Sequence, residues 1–139
     1  MILNVEINDF PNGKIPRTTA QQKRYNAKTG IYFDSPELAA ARMIYLRKFY
    51  EARQKAGIIS PMESPVVLDV FFHFKAKRKK DVGQPKLTRP DLDNMVKLIA
   101  DCITKAGIIR DDSQIFDLHL VKRYDVNEFV EVKIHVFDN

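Results

Sequence analysis

The chain is poor in the residues that build disulfide scaffolds and zinc centres. It has one cysteine, Cys102, so no intramolecular disulfide can form and a multi-cysteine zinc site is excluded. Its three histidines, His73, His119 and His135, lie far apart on expected strands and read as packed or half-exposed strand residues. No apolar run approaches the roughly 18 residues of a membrane span. The first ten residues carry Asn4, Glu6, Asn8 and Asp9 and lack the basic and apolar regions of a signal peptide. Gly-rich or Ser-rich linkers and internal repeats are absent. What is present is ordinary globular material, 45% apolar and 29% charged over 139 residues. The expectation is one soluble, cytoplasmic domain with no membrane partner.

The charge is unevenly spread. The formal net charge is +5. Between residues 75 and 89, Lys75, Lys77, Arg78, Lys79, Lys80, Lys86 and Arg89 face one acid, Asp81. That segment carries +6 and the remainder of the chain −1. A concentrated basic loop suits a polyanionic backbone bound without sequence preference, although Lys clusters are more often solvated charge runs.

Periodicity predicts a strand at Ile2–Ile7 and a turn at Pro11–Gly13. A long polar loop over 11–30, with room for a short ordered piece, then leads to a short edge strand at Ile31–Phe33. Within the loop, Arg17, Lys23, Arg24, Tyr25 and Lys28 read equally as a solvated segment or as a DNA contact with an aromatic available for stacking. Ser35 before Pro36 marks the start of a helix running to about 56. Leu38, Met43, Leu46 and Tyr50 supply much of its apolar face, and Gly57 stops it. Pro65–Phe74 is the clearest strand. A second helix is expected over Pro90–Ala106, with Leu92, Met95, Val96, Ile99, Cys102, Ile103 and Ala106 at helical spacing and Gly107 at its end. Strands Ile115–Tyr124 and Phe129–Val136 follow, joined as a hairpin by Val126–Glu128. The order predicts an α+β fold: a mixed or antiparallel sheet with two main helices packed on it.

The chemistry-bearing stretch opens the second helix: Arg89-Pro90-Asp91-Leu92-Asp93-Asn94-Met95-Val96-Lys97. Asp91 and Asp93 there are favoured by the helix dipole, which is the plain structural explanation. Asp93 and Lys97 share a helix face at i, i+4, either as a surface ion pair or with both heads in a groove. Beyond Gly107 come Asp111 and Asp112, which are costly side by side unless solvated or metal-bound. Carboxylates without His or Cys suit a hard cation, Mg²⁺ or Mn²⁺, and such an ion beside Lys97 and Arg89 suits phosphate chemistry. Reach is a constraint. A helix of about 16 residues is about 24 Å long, whereas Gly107 to Asp112 spans about 17 Å at most. Either a neighbouring protomer bridges the site, or the helix is shorter or bent.

The combined pattern resembles the RusA family of Holliday junction resolvases. It comprises a basic run, Arg-x-Asp-Leu-Asp-Asn-x-x-Lys at 89–97, Ala106-Gly107, and Asp111-Asp112-Ser113-Gln114. The resemblance spans roughly 65–124. It implies a homodimeric, Mg²⁺-dependent endonuclease of phage or bacterial origin, acting in DNA recombination and repair. Such an enzyme cuts four-way or other branched DNA by paired symmetric nicks that leave ligatable 5′-phosphates, and uses no small-molecule cofactor. The catalytic acids carry over to Asp91, Asp93 and Asp112, the helix lysine to Lys97, and the arginine of the basic run to Arg89. Asp111 is placed to share or tune the metal site. Lys75, Lys77, Arg78, Lys79, Lys80 and Lys86 are then the DNA-facing strip, although the Asp81–Leu87 insertion splits it. Two alternatives stand beside this reading: a non-catalytic branched-DNA binder, and a related nuclease acting on RNA or other branched DNA.

Overall fold

The computed structural model describes residues 1–17 and 23–137. The part of the expected loop at 18–22 lies outside the described residues. Among the described residues there are six strands and two α-helices: β1 Ile2–Ile7, β2 Lys23–Asn26, β3 Ile31–Asp34, α1 Pro36–Ala56, β4 Val66–Lys75, α2 Leu92–Lys105, β5 Ile115–Asp125 and β6 Phe129–Val136. The main sheet has the order β1-β6-β4-β5. β6 pairs antiparallel with both β1 and β4, and β5 joins β4 in parallel, so the sheet is mixed. The fold is α+β, as expected.

Alternation decides which face is buried. Leu3, Val5 and Ile7 of β1, Val66 to Phe74 at every second position of β4, and Val130 to Val136 of β6 enter one core with both helices. The opposite face carries Glu6, Glu131, Lys133 and His119 in solvent. His73 lies on that face but is only 9% exposed. It is stacked between Phe71 and Phe129, and its Nδ1 lies 2.9 Å from Asp125.

Three expectations are corrected. First, β5 and β6 do not form a hairpin. β4 lies between them, and residues 126–128 carry the chain across the end of β4. There the Glu128 carboxylate accepts the Lys75 backbone N–H at 3.0 Å, the Ile15 N–H at 2.6 Å and the Arg17 guanidinium at 2.8 Å. Burial alone would raise this carboxyl, but these donors together hold it below the ordinary glutamate range. Second, the apolar face of α1 is Leu38, Ala41, Tyr45 and Phe49, while Met43 and Tyr50 are exposed. A five-residue step from Leu38 to Met43 turns the side chain well off the stripe, whereas steps of three and four stay on it. Third, the segment read as loop over 11–30 contains β2, which pairs with β3 as a separate hairpin.

The two helix ends are tied by one side chain. Arg53 of α1 donates to the carbonyls of Ile58 and Ile59 after its own helix and to Ala106 at the end of α2. Gly107 makes this possible. It has φ +82, and a Cβ there would meet Arg53 Nη1 at 2.8 Å. We expect Gly107→Ala to lower unfolding free energy by about 1–3 kcal/mol through strain and the displaced guanidinium. Urea denaturation checks this, and an unchanged midpoint would contradict the role given to the close approach.

Candidate active site and nucleic-acid interface

α2 begins later than the proline suggests. Asp91 keeps extended backbone angles in the N-cap position and Leu92 is the first helical residue. An aspartate at an N-cap ordinarily turns its carboxylate onto the backbone N–H two or three residues on. Asp91 makes no such side-chain bond. Its carboxylate is exposed, as is that of Asp93 in the first turn. Neither Asp93 nor Lys97 forms an ion pair among the described residues, so the surface-pair reading of these two fails. Leu92 is half-buried, while Met95, Val96, Ile99, Cys102 and Ile103 are buried. That leaves Asp93, Lys97 and Asp101 on the outer face at i, i+4 and i+8. Cys102 is core, and burial pushes its thiol up to about 12. Asn94 Oδ1 is buried without a hydrogen-bond partner among the described residues.

The loop before Asp91 is not a free run. Its 83–86 stretch lies along β5: Gly83 N–H donates to Tyr124, Tyr124 N–H to Gln84, and Lys86 N–H to Lys122. The ammonium of Lys122 then donates to the carbonyls of Thr88 at 2.7 Å and Pro90 at 2.8 Å. Burial, reinforced by the nearby Lys86 ammonium, lowers the Lys122 pKa, and Asp91 opposes the shift. Lys122 thus holds the chain one residue before the acid. Sequence reasoning missed it, because nothing in a mid-strand lysine signals which loop will cross its edge.

Four cations of the loop share a recess with Arg17. Arg17, Lys75, Lys77, Arg78 and Lys86 line a recess of about 630 Å³ floored by Phe74 and Tyr124, with Asp81 and Thr88 at its edge. Lys86 lies over both rings, 5.1 Å from the Phe74 centroid and 5.5 Å from the Tyr124 centroid. Arg78 is bound by Asp81 at 3.0 Å. The side chains of Lys75, Lys77, Lys79, Lys80 and Arg89 have no ion-pair partner among the described residues. The insertion that splits the run is what folds it against β5.

The second acid pair sits in the turn after α2. Gln114 builds that turn. Its Oε1 accepts the N–H groups of Arg110 and Asp111, and its Nε2 donates to the carbonyls of Met62 and Ser64. Asp111 is used locally, accepting the Ser113 N–H as a cap. Asp112 is left with Asp111 beside it. The Asp111 carboxylate raises the Asp112 pKa, with burial and then Asp101 adding to the effect, and Asp111 itself is lowered. Of the two, Asp112 is therefore the carboxyl that takes up a proton first as pH falls.

Asp112 thus senses Asp101, two turns along α2 from Asp93, or about 12 Å. Asp112 is not gathered with Asp91 and Asp93 among the described residues. Among the described residues no group of three or more His, Cys, Asp or Glu side chains is placed to hold a metal. The donor chemistry nevertheless fits a hard cation: Asp91, Asp93 and Asp112 offer only oxygen, and the unpartnered Asn94 oxygen lies in the same motif.

The fold and site define a class: an α+β protein presenting exposed carboxylates at a helix start, fed directly by a cationic loop. The chain belongs to the RusA family, since the family model for endodeoxyribonuclease RusA matches residues 14–135. It is 41% identical over 70 residues to a crossover junction endodeoxyribonuclease RusA of Lactococcus phage r1t, covering 50% of this chain and 53% of that protein. It is 39% identical over 56 residues to the protein of that name in Aquifex aeolicus (strain VF5), covering 40% and 44% of the two chains. With the one in Escherichia coli (strain K12) it is 38% identical over 56 residues, covering 40% and 47%. The chain spans about half the length of the curated relatives it matches.

The Asp111–Asp112 contact has a signed pH consequence. A carboxyl with a raised folded pKa contributes stability below its unfolded value, and that contribution is lost as pH rises through the raised value. At neutral pH the folded chain therefore bears the repulsion. In EDTA at pH 7, Asp112→Asn should melt above the parent, its amide still able to donate to Asp111, and the gap should close below the ordinary aspartate range. Thermal unfolding across pH reads this, and a lower melting temperature at pH 7 would sink it.

Proposed function

We propose that this chain is a divalent-metal-dependent DNA endonuclease that cuts four-way junctions and related branched DNA. The observation that carries the reading is Asp91: a helix-start acid that does not cap its helix. Its backbone is held by Lys122 through Pro90, and the cationic loop ends two residues earlier. A capping role would have used that carboxylate locally. The names of the relatives point the same way.

Asp91 and Asp93 would hold Mg²⁺, or Mn²⁺ in its place, with Asp112 brought to them by a neighbouring protomer, since the three are not gathered within the described residues of one chain, and Asp111 would fix the turn that presents Asp112. When bound, the metal polarises the phosphoryl oxygen and activates the attacking water. Lys97, one turn from Asp93 and without an ion-pair partner, neutralises charge developing on the phosphate. Lys75, Lys77, Lys79, Lys80, Lys86, Arg78 and Arg89 seat the backbone by charge, which orients the scissile strand without reading sequence. Cutting two strands of a junction symmetrically calls for two copies of the site, so the working unit is a homodimer. The paired nicks leave 5′-phosphate ends ready for ligation, and the setting is recombination and repair in the cytoplasm of a bacterium or phage-infected cell.

A strand-resolved cleavage assay on a synthetic four-way junction tests the reading. With Mg²⁺ the parent should nick opposing strands, while Asp91→Asn and Asp112→Asn should bind the junction and lose at least about 100-fold in cleavage, the scale of removing a positioned metal or charge group. Unchanged cleavage in either variant would remove that residue from the site. No cleavage by the parent in any divalent ion would favour the branched-DNA binder. Preference for linear duplex or RNA would favour the related nuclease.

A separate binding series addresses the loop. Lys79→Ala combined with Lys80→Ala should weaken junction binding and reduce the slope of log K against log salt by about 1–2, one unit per lost phosphate contact. An unaltered slope would show that these lysines meet no phosphate.

A further inference from the structure

The β2–β3 hairpin stands outside the chemistry described so far. It pairs Lys23 with Asp34, Arg24 with Phe33, Tyr25 with Tyr32 and Asn26 with Ile31. Its turn is closed by the Gly30 N–H on the Asn26 carbonyl and the Lys28 N–H on Asn26 Oδ1. A two-stranded ribbon is marginal unless something covers it. Here Tyr25 is 56% exposed, Ile31 63%, Tyr32 68% and Phe33 46%. Tyr25 and Tyr32 face one another across the strands with ring centroids 4.9 Å apart. Four large apolar side chains in twelve residues, all turned to solvent, contribute little to the fold they hang from.

The charges around them are specific. Lys23, Arg24 and Lys28 have no ion-pair partner among the described residues. The hairpin's one acid, Asp34, is occupied by Arg42 of α1 at 2.7 Å. A second copy of the same surface would bring like charges together. An apolar protein groove would leave the cations without a purpose. Flat rings beside unpaired cations match one chemistry, the unstacked base with its phosphate.

The hairpin is also tied to the helix that carries Asp93. Arg42 bridges Asp34 to Asp101, which shares the outer face of α2 with Lys97 and Asp93 about 12 Å away along the axis. At its other end, Lys23 lies six residues from Arg17 on the wall of the cationic recess, within about 21 Å for any path of the chain.

We propose that the hairpin Lys23–Asp34 is a stacking arm that takes unpaired bases next to the scissile strand, with Tyr25 and Tyr32 as its platform and Lys23, on the same face of the ribbon, and Lys28 of the turn on the flanking phosphates. The proposal rests on the branched-DNA reading for the origin of those bases, which at a junction are the ones freed at the branch point. Stacking there favours a branched substrate over a linear one, because a paired duplex offers no free base face.

The test uses the full chain in EDTA, so that nothing is cut, with Tyr25→Ala/Tyr32→Ala and, as the conservative control, Tyr25→Phe/Tyr32→Phe. Probes are a four-way junction with 2-aminopurine at the branch point, a linear duplex and an oligothymidylate single strand. The alanine pair should lose on the order of tenfold or more in affinity for junction and single strand, the weight of one stacked base, and stay within about twofold on duplex. It should also lose the 2-aminopurine fluorescence change, while the phenylalanine pair keeps both. Equal loss on all three probes, or none on junction and single strand, overturns the arm. So does dissociation of a dimer on substitution, which would assign the tyrosines to a second copy. If the parent binds junction no tighter than duplex, the branched-DNA reading fails. The single-strand arm of the experiment then still decides the hairpin.

Discussion

A guanidinium almost out of water must find carboxylates, and Arg42 finds two from different parts of the fold. Its side chain is 12% exposed, yet it binds Asp34 of the hairpin and Asp101 of α2, while its carbonyl faces the Cys102 thiol at 3.9 Å. Burial alone would lower its pKa, but the paired carboxylates more than offset this and raise it. A buried charge of this kind adds less to stability than to specificity of arrangement, since either acid left alone would be penalised. Through it, the hairpin, α1 and the outer face of α2 take one relative placement. Asp101 also takes Lys105 at 3.4 Å, so the outer face of α2 that carries Asp93 and Lys97 is referred back to Arg42.

The second organising feature is the separation of charge. A loop of seven cations beside a nearly neutral body would repel itself if left free in solution. It is restrained by backbone pairing of residues 83–86 to β5, by aromatic floors under Lys86 and by the two carbonyls on Lys122. None of these restraints consumes the charge of Lys75, Lys77, Lys79, Lys80 or Arg89. The loop is thus ordered by its neutral atoms and leaves its ammonium and guanidinium groups available. Glu128 does the same at the base of the recess, binding Arg17 and two backbone N–H groups, that of Lys75 among them, without pairing with an ammonium of the run.

Much of this was legible in residue order, and the misses have definite causes. Alternation located β4 and β6 because each has one buried face, and the Ser35–Pro36 and Gly57 signals bounded α1 because caps are local chemistry. The acids, Lys97 and the basic run were visible as a pattern. The α1 stripe was misread at Met43 and Tyr50, where residue type outweighed angular position. β2 was unread because KRYN has no apolar alternation, and its partner supplies the order instead. Val126–Glu128 passed for a hairpin turn because a short link between two strands usually is one, and a strand inserted from elsewhere in the chain leaves no local trace. Gln114 stood in the motif, but its four bonds to Arg110, Asp111, Met62 and Ser64 required knowing that residues 62–64 pass the turn.

The sequence by itself therefore determined what depends on near neighbours: helix starts and stops, the faces of β4 and β6, the sign of the loop, and an all-oxygen set of acids suited to a hard cation. Only the tertiary structure decided how those acids are used. Asp111 goes to its own turn, Asp91 sits at the N-cap without bonding it, Asp112 is not gathered with Asp91 and Asp93 among the described residues, and the cationic loop is held by Lys122. Apart from the local Asp111 cap, these outcomes turn on contacts between residues distant in the chain. A carboxylate or ammonium interacts with whatever the fold brings within a few ångströms, and that distance is set by packing, which residue order encodes only through the whole core.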